Sequence, residues 1–204
     1  MAKKSRAHIW KKHRTFKLSE VLIMQFRDLT AEDIEVRLQS VKLDFSQKPT
    51  GVILLLYKNA RVDMSILDET VGAENWQREH YECKGNLFCR VGINVNYNIP
   101  ESPEKWVWKS DCGVESNTEA QKGEASDSFK RACFNWGIGR ELYTSPLIWV
   151  KADKCNIQNG KCYDRFAVEK IAIENKKIVG LSIINNSIKS DNIKDKRCFV
   201  WSAK

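Results

Sequence analysis

Four prolines in 204 residues leave no room for a proline-rich linker, and no internal repeat or low-complexity tract is visible. The longest purely apolar run is Val52 to Tyr57, far short of the ~20 residues that cross a bilayer. The first 20 residues contain no apolar stretch of the kind found in a secretory signal. The seven cysteines are scattered without tight CxxC pairs, so reduced thiols and a cytoplasmic location are expected. Structural zinc favours paired thiolates, so Cys155 and Cys162, or Cys83 and Cys89, read as buried or incidental thiols and no metal is expected. Nothing matches GxxxxGK[ST]. Gly137-Ile-Gly139 lacks a third glycine and follows a predicted helix instead of a strand. ATP use is therefore not indicated.

What is present is a chain with 42% hydrophobic and 29% charged residues, which excludes wholesale disorder and fits one domain of ordinary size. The formal net charge is +8. Residues 1–20 hold Lys3, Lys4, Arg6, Lys11, Lys12, Arg14 and Lys17 against Glu20 alone, so most of the excess is N-terminal. Such an arm suits a polyanion, because each neutralised phosphate releases counterions. Trp10 lies among these cations and has two readings, a base-stacking ring or an anchor for the arm.

Thr30 and Asp33 have capping-box-like spacing, and Ile34, Leu38 and Val41 follow at helical intervals, predicting a helix over 31–42. Val52 to Tyr57 reads as a short buried strand, and Val62, Ile66 and Leu67 as a helix ending near Gly72. From Leu87 to Tyr97 apolar residues alternate with others at a period of two. With Trp76 to Cys83 before it and Lys105 to Cys112 after it, this predicts a three-stranded antiparallel meander. A long helix over 117–136 follows, with Ala125, Phe129, Ala132, Cys133 and Trp136 on one stripe and Gly137 and Gly139 at its end. Beyond Pro146 come a short strand at 147–151, a turn at Asn159-Gly160, a hairpin turned at 174–176 and a last strand at 197–202. The expected fold is α+β: a three-stranded meander followed by a long helix, with a β-rich C-terminal extension. The expected organisation is a basic arm over 1–30, a core over 31–151 and the extension over 152–204.

Candidate chemistry is thin. Glu115, Glu119, Glu124 and Asp127 are interspersed with cations along one helix, which reads as a solvated salt-bridged face and not as the converging carboxylates of a nuclease. His80 stands alone on a strand and reads as a surface or packing residue. Trp76, Trp106 and Trp108 read as core or interface packing. Cations flank the sheet and helix, including Lys58, Arg61, Arg90, Lys109, Lys122, Lys130, Arg131 and Arg140. Composition alone does not assign them to DNA.

One segment carries a family resemblance. Gly113-Val-Glu115, Glu119-Ala120-Gln-Lys122-Gly-Glu-Ala125-Ser-Asp127-Ser-Phe-Lys130-Arg131-Ala132 and Trp136-Gly137 resemble the signature helix of the Rad-fifty-two family of DNA single-strand annealing proteins. Ala60 to Leu67 and Val71 to Trp76 are similar to that family's first helix and the approach to its meander. The short chain and the run Gly139-Arg-Glu-Leu-Tyr143 resemble the bacterial and phage branch, which includes Sak-like recombinases. The resemblance covers roughly residues 50–150. It implies ATP-independent binding of single-stranded DNA and annealing of complementary strands in homologous recombination and double-strand break repair. It implies a homo-oligomeric ring or helical array with a positive groove, no catalytic residue and no cofactor. Single-stranded DNA is the implied ligand, and a single-strand-binding protein or an exonuclease the implied protein partner. By the resemblance, Lys130 and Arg131 match backbone-contacting cations, Arg61 matches another, and Lys122 is a weaker contact. The alternative is a basic nucleic-acid-binding module without annealing activity, in which the arm does most of the binding.

Overall fold

The computed structural model describes residues 24–114 and 120–203. Most of the expected basic arm lies outside the described residues, as do 115–119 of the motif segment. The described chain is mixed α and β, rich in strands and poor in helices. Among the described residues no helix is long and apolar enough to cross a membrane.

The larger sheet is antiparallel and has six strands in the order β11-β10-β9-β1-β2-β6. Its members are β1 (Glu35–Leu43), β2 (Pro49–Tyr57), β6 (Ile148–Lys151), β9 (Phe166–Glu174), β10 (Lys177–Asn185) and β11 (Arg197–Ser202). Strands from both sides of residue 152 therefore share one sheet. The smaller sheet is β3 (Trp76–Cys83), β4 (Asn86–Asn94) and β5 (Trp106–Cys112), paired antiparallel in sequence order. Two helices lie between strands, α1 (Ala60–Val71) and α2 (Ala120–Trp136). The Asn159-Gly160 turn joins the two-residue strands β7 (Ile157–Gln158) and β8 (Lys161–Cys162), and a single-turn helix α3 (Ile193–Lys196) precedes β11.

The helix expected over 31–42 is not formed. The Thr30 amide and hydroxyl both donate to Asp33 Oδ2, at 2.8 and 2.9 Å, so the capping signal is real. It starts only one 3₁₀ turn, Ala31–Asp33, before the chain enters β1. The pairing jumps from Leu38↔Leu54 to Ser40↔Ile53, leaving Gln39 as a bulge. A strand interrupted by one extra residue places Ile34, Leu38 and Val41 at intervals that mimic a helix. The apolar strand β2 needs a hydrogen-bonding partner on this side, and that demand overrides the local signal.

Elsewhere the local logic is direct. Asn59 Oδ1 accepts from the Arg61 and Val62 amides and starts α1. Asp63, Ile66, Leu67 and Val71 form its buried face. On β4 the alternation buries Cys89, Val91 and Ile93 against α2. The opposite face of β4 carries Gly92, where a Cβ would lie 2.8 Å from the Trp108 indole. Phe129, Ala132 and Cys133 of α2 are fully buried and belong to the same hydrophobic core cluster as Val52, Leu54, Ile148 and Val150 of the larger sheet. Full burial of such a large apolar side chain contributes ~1.5–3 kcal/mol.

Candidate nucleic-acid interface

At the end of β2 the chain turns into α1, and this corner faces the second half of α2. Between them lies a half-open cavity of about 270 Å³. Leu55, Leu56, Tyr57 and Lys58 line one side, Asp127, Lys130, Arg131 and Phe134 another, and Leu142 and Tyr143 the third. The last two belong to a 3₁₀ turn, Arg140–Thr144, reached through Gly137 and Gly139 in the left-handed region, with φ of 100° and 73°. At Gly139 a Cβ would also lie 2.4 Å from Lys58 Cε, so this position requires glycine for space as well as for backbone shape.

A buried ion pair underlies the cavity. Lys58 Nζ donates to Asp63 Oδ1, and the two side chains are 1% and 0% exposed. The Lys58 ammonium also lies 4.3 Å from the centre of the Phe134 ring, which in turn packs against Tyr143 at 4.9 Å. Burial pushes the Asp63 carboxyl up to about 6, opposed by Lys58 and then by Lys130. Among the described residues no N–H or O–H group donates to its Oδ2, and the Cys133 thiol is a further group that holds the value down. Burial also pushes the neighbouring Cys133 thiol up, which keeps it protonated and unreactive.

Lys130 and Arg131 stand at the cavity with acidic neighbours. Lys130 Nζ is 3.6 Å from Asp127 Oδ1, and Arg131 Nε is 3.4 Å from Asp111 Oδ1. Burial disfavours the Arg131 charge, but Asp111 outweighs it, with Tyr143 and Asp127 adding, so its pKa is raised. Arg37, which does not line the cavity, lies 4.9 Å from the centre of the Tyr57 ring and binds Glu35. Hydrogen bonding to Arg37 holds the Glu35 carboxyl below its usual value, against burial, with Asn59 and Lys130 also lowering it.

Of the four cations expected from the sequence, the fold brings Lys130 and Arg131 together on the cavity wall. Arg61 is exposed in the first turn of α1, three residues beyond Lys58, and Lys122 lies two turns before Lys130; neither lines the cavity. Other flanking cations have structural partners. Lys109 Nζ and the Arg140 guanidinium donate to carbonyls in the last turn of α2, at Phe134 and Asn135, where the helix dipole favours cations. Arg90 binds Glu79 and covers the Trp108 ring. Trp76 stacks on Phe129, and His80 reaches the Ala125 carbonyl oxygen from an exposed position. The acidic residues of α2 are not simply solvated. Glu124 accepts from the Leu87 amide, and Asp127 accepts from the Val114 amide. Among the described residues no group of His, Cys, Asp and Glu is arranged to hold a metal ion.

Sequence reasoning missed the cavity's rings, Tyr57, Phe134 and Tyr143. Tyr143 is 70% exposed in the 3₁₀ turn Arg140–Thr144, and its place in the run Gly139-Arg-Glu-Leu-Tyr143 was the available sequence signal.

Comparison with curated proteins and with solved structures gives no match. The family profile described as Rad52/22 family double-strand break repair protein matches residues 26–161, a span that contains the smaller sheet, α1, α2 and the whole cavity. The chain therefore belongs to the Rad52/22 family of double-strand break repair proteins.

Proposed function

We propose that this protein binds single-stranded DNA through the Lys130–Arg131 wall and anneals complementary strands without ATP, as a homo-oligomer acting in recombination. The observation that carries this reading is the pair of adjacent cations, Lys130 and Arg131, on one cavity wall beside the buried Lys58–Asp63 ion pair. Phosphates attract such cations whatever the sequence, whereas base pairing between strands supplies the specificity. A strand gripped by its backbone keeps its base edges available. No bond is made or broken, so neither an acid, a base nor a nucleophile is required, and no cofactor is invoked.

Oligomerisation multiplies weak contacts along one strand, since each further protomer binds at high effective concentration. Arg61 and Lys122 extend the basic track on either side of the cavity in this reading. The run Gly139-Arg-Glu-Leu-Tyr143 supports the bacterial and phage branch, and with it a cytoplasmic site of action. A single-strand-binding protein or an exonuclease that exposes the strand is the expected partner.

Particle size, measured by light scattering with and without an oligonucleotide, tests the assembly. A multimer that binds the strand as one species is expected. A strict monomer in both conditions contradicts the proposal.

A further inference from the structure

The ion pairs of the two cavity cations differ from the other ion pairs seen among the described residues. Arg27–Asp33 and Arg90–Glu79 close at 2.6 Å as direct hydrogen bonds. Lys130–Asp127 and Arg131–Asp111 stand at 3.6 and 3.4 Å, longer and looser than those pairs, and the buried Arg131 Nε makes no well-aligned hydrogen bond. The carboxylates themselves are fixed. Asp127 Oδ2 accepts from the Val114 amide at 3.2 Å, and Asp111 Oδ1 accepts from the Cys112 amide at 2.9 Å.

We propose that Asp111 and Asp127 are built-in counterions that compete with DNA phosphate for Arg131 and Lys130. The inference rests on the groove reading above and adds a regulating pair of residues to it. The carboxylates hold the cations in position, and although Arg131 Nε is buried against Asp111, the Arg131 side chain as a whole stays 41% exposed, so the guanidinium can still meet a phosphate oxygen. A phosphate that arrives must share each cation with a carboxylate that is itself held by a backbone amide, so its grip is weakened. Annealing gains from this, because a strand held too tightly cannot slide into register with its complement. Asp111 and Asp127 are positioning residues, since they act through the cations and not on the strand.

The test is a titration of fluorescent single-stranded oligonucleotide against the full chain over a range of salt. Asp111→Asn and Asp127→Asn keep the shape of the side chain and an oxygen that accepts from the same backbone amide. Each is expected to tighten binding about three- to fivefold and to steepen the dependence on salt. Asp191→Asn serves as the control. Asp191 is exposed and pairs with neither cation, so it is expected to change little. Equal tightening by all three variants would mean that overall charge alone acts, and would overturn the inference. Unchanged binding by Asp111→Asn and Asp127→Asn, with binding still weakened about a hundredfold by Lys130→Ala plus Arg131→Ala, would overturn the inference and leave the groove reading standing. Binding that survives the double cation variant would remove the groove reading and this inference with it. Asp111 lies on β5 and not on α2, so it decides the matter if Asp127→Asn does not fold.

Discussion

Asp63→Ala is expected to destabilise the fold by about 3–5 kcal/mol, because it leaves the Lys58 ammonium buried without a partner. The opposite single change, Lys58→Ala, strands a buried carboxylate and carries a similar cost. Replacing both by apolar residues of similar size, Lys58→Met with Asp63→Leu, is expected to recover most of the loss, since desolvation offsets much of what the pair gains. Denaturant unfolding of the three variants reads this directly. A cost for Asp63→Ala below about 1 kcal/mol, as for an exposed pair, would contradict the buried arrangement. Stability should also depend on pH through this carboxyl. Its folded value, about 6, lies above the ordinary 3.8. Protonation therefore favours the folded form, and the contribution is fully present below 3.8 and is lost as pH rises through about 6. Asp63→Asn should remove that component.

Lys130→Ala combined with Arg131→Ala is expected to have the largest effect on strand capture. A charge-assisted hydrogen bond to phosphate contributes ~1.5 kcal/mol or more, about tenfold in affinity. Removing two such bonds from each protomer should weaken binding about a hundredfold. The slope of log affinity against log salt should fall by about 1.4, from ~0.7 per neutralised phosphate on a single strand. Removing residues 1–14, which carry six of the cations, separates this account from one centred on the N-terminal arm. Binding that persists without the arm but fails without the two cavity cations is the expected pattern. The reverse pattern would favour a basic module that binds through its arm.

Much of this was legible from residue order. The strands at Val52, Trp76, Leu87 and Trp106 announce themselves by apolar runs or by a period of two, and α2 by its stripe and terminal glycines. These are local signals. The helix wrongly expected over 31–42 shows where such signals fail: one bulge at Gln39 converts a strand's alternation into apparent helical spacing. The six-stranded sheet was not legible as a unit, because Glu35 pairs with Ala167 across more than a hundred residues and no periodicity encodes partnership. The cavity divided in the same way. Lys130 and Arg131 are adjacent in a motif, whereas Tyr57, Lys58 and Tyr143 meet them only through the corner after β2 and the turn after α2. The role of Asp63 needed burial, and burial is a property of the whole fold.

The central claim is that this chain promotes strand pairing by holding phosphates and leaving bases exposed. It is tested most directly by mixing complementary oligonucleotides with the protein in the absence of nucleotide and divalent metal, and following duplex formation by fluorescence quenching. The account predicts pairing much faster than the spontaneous rate at low salt, declining as salt rises and abolished in the Lys130→Ala plus Arg131→Ala variant. Pairing no faster than the spontaneous rate at every salt concentration, with the wild-type protein folded and bound to the strands, would contradict it.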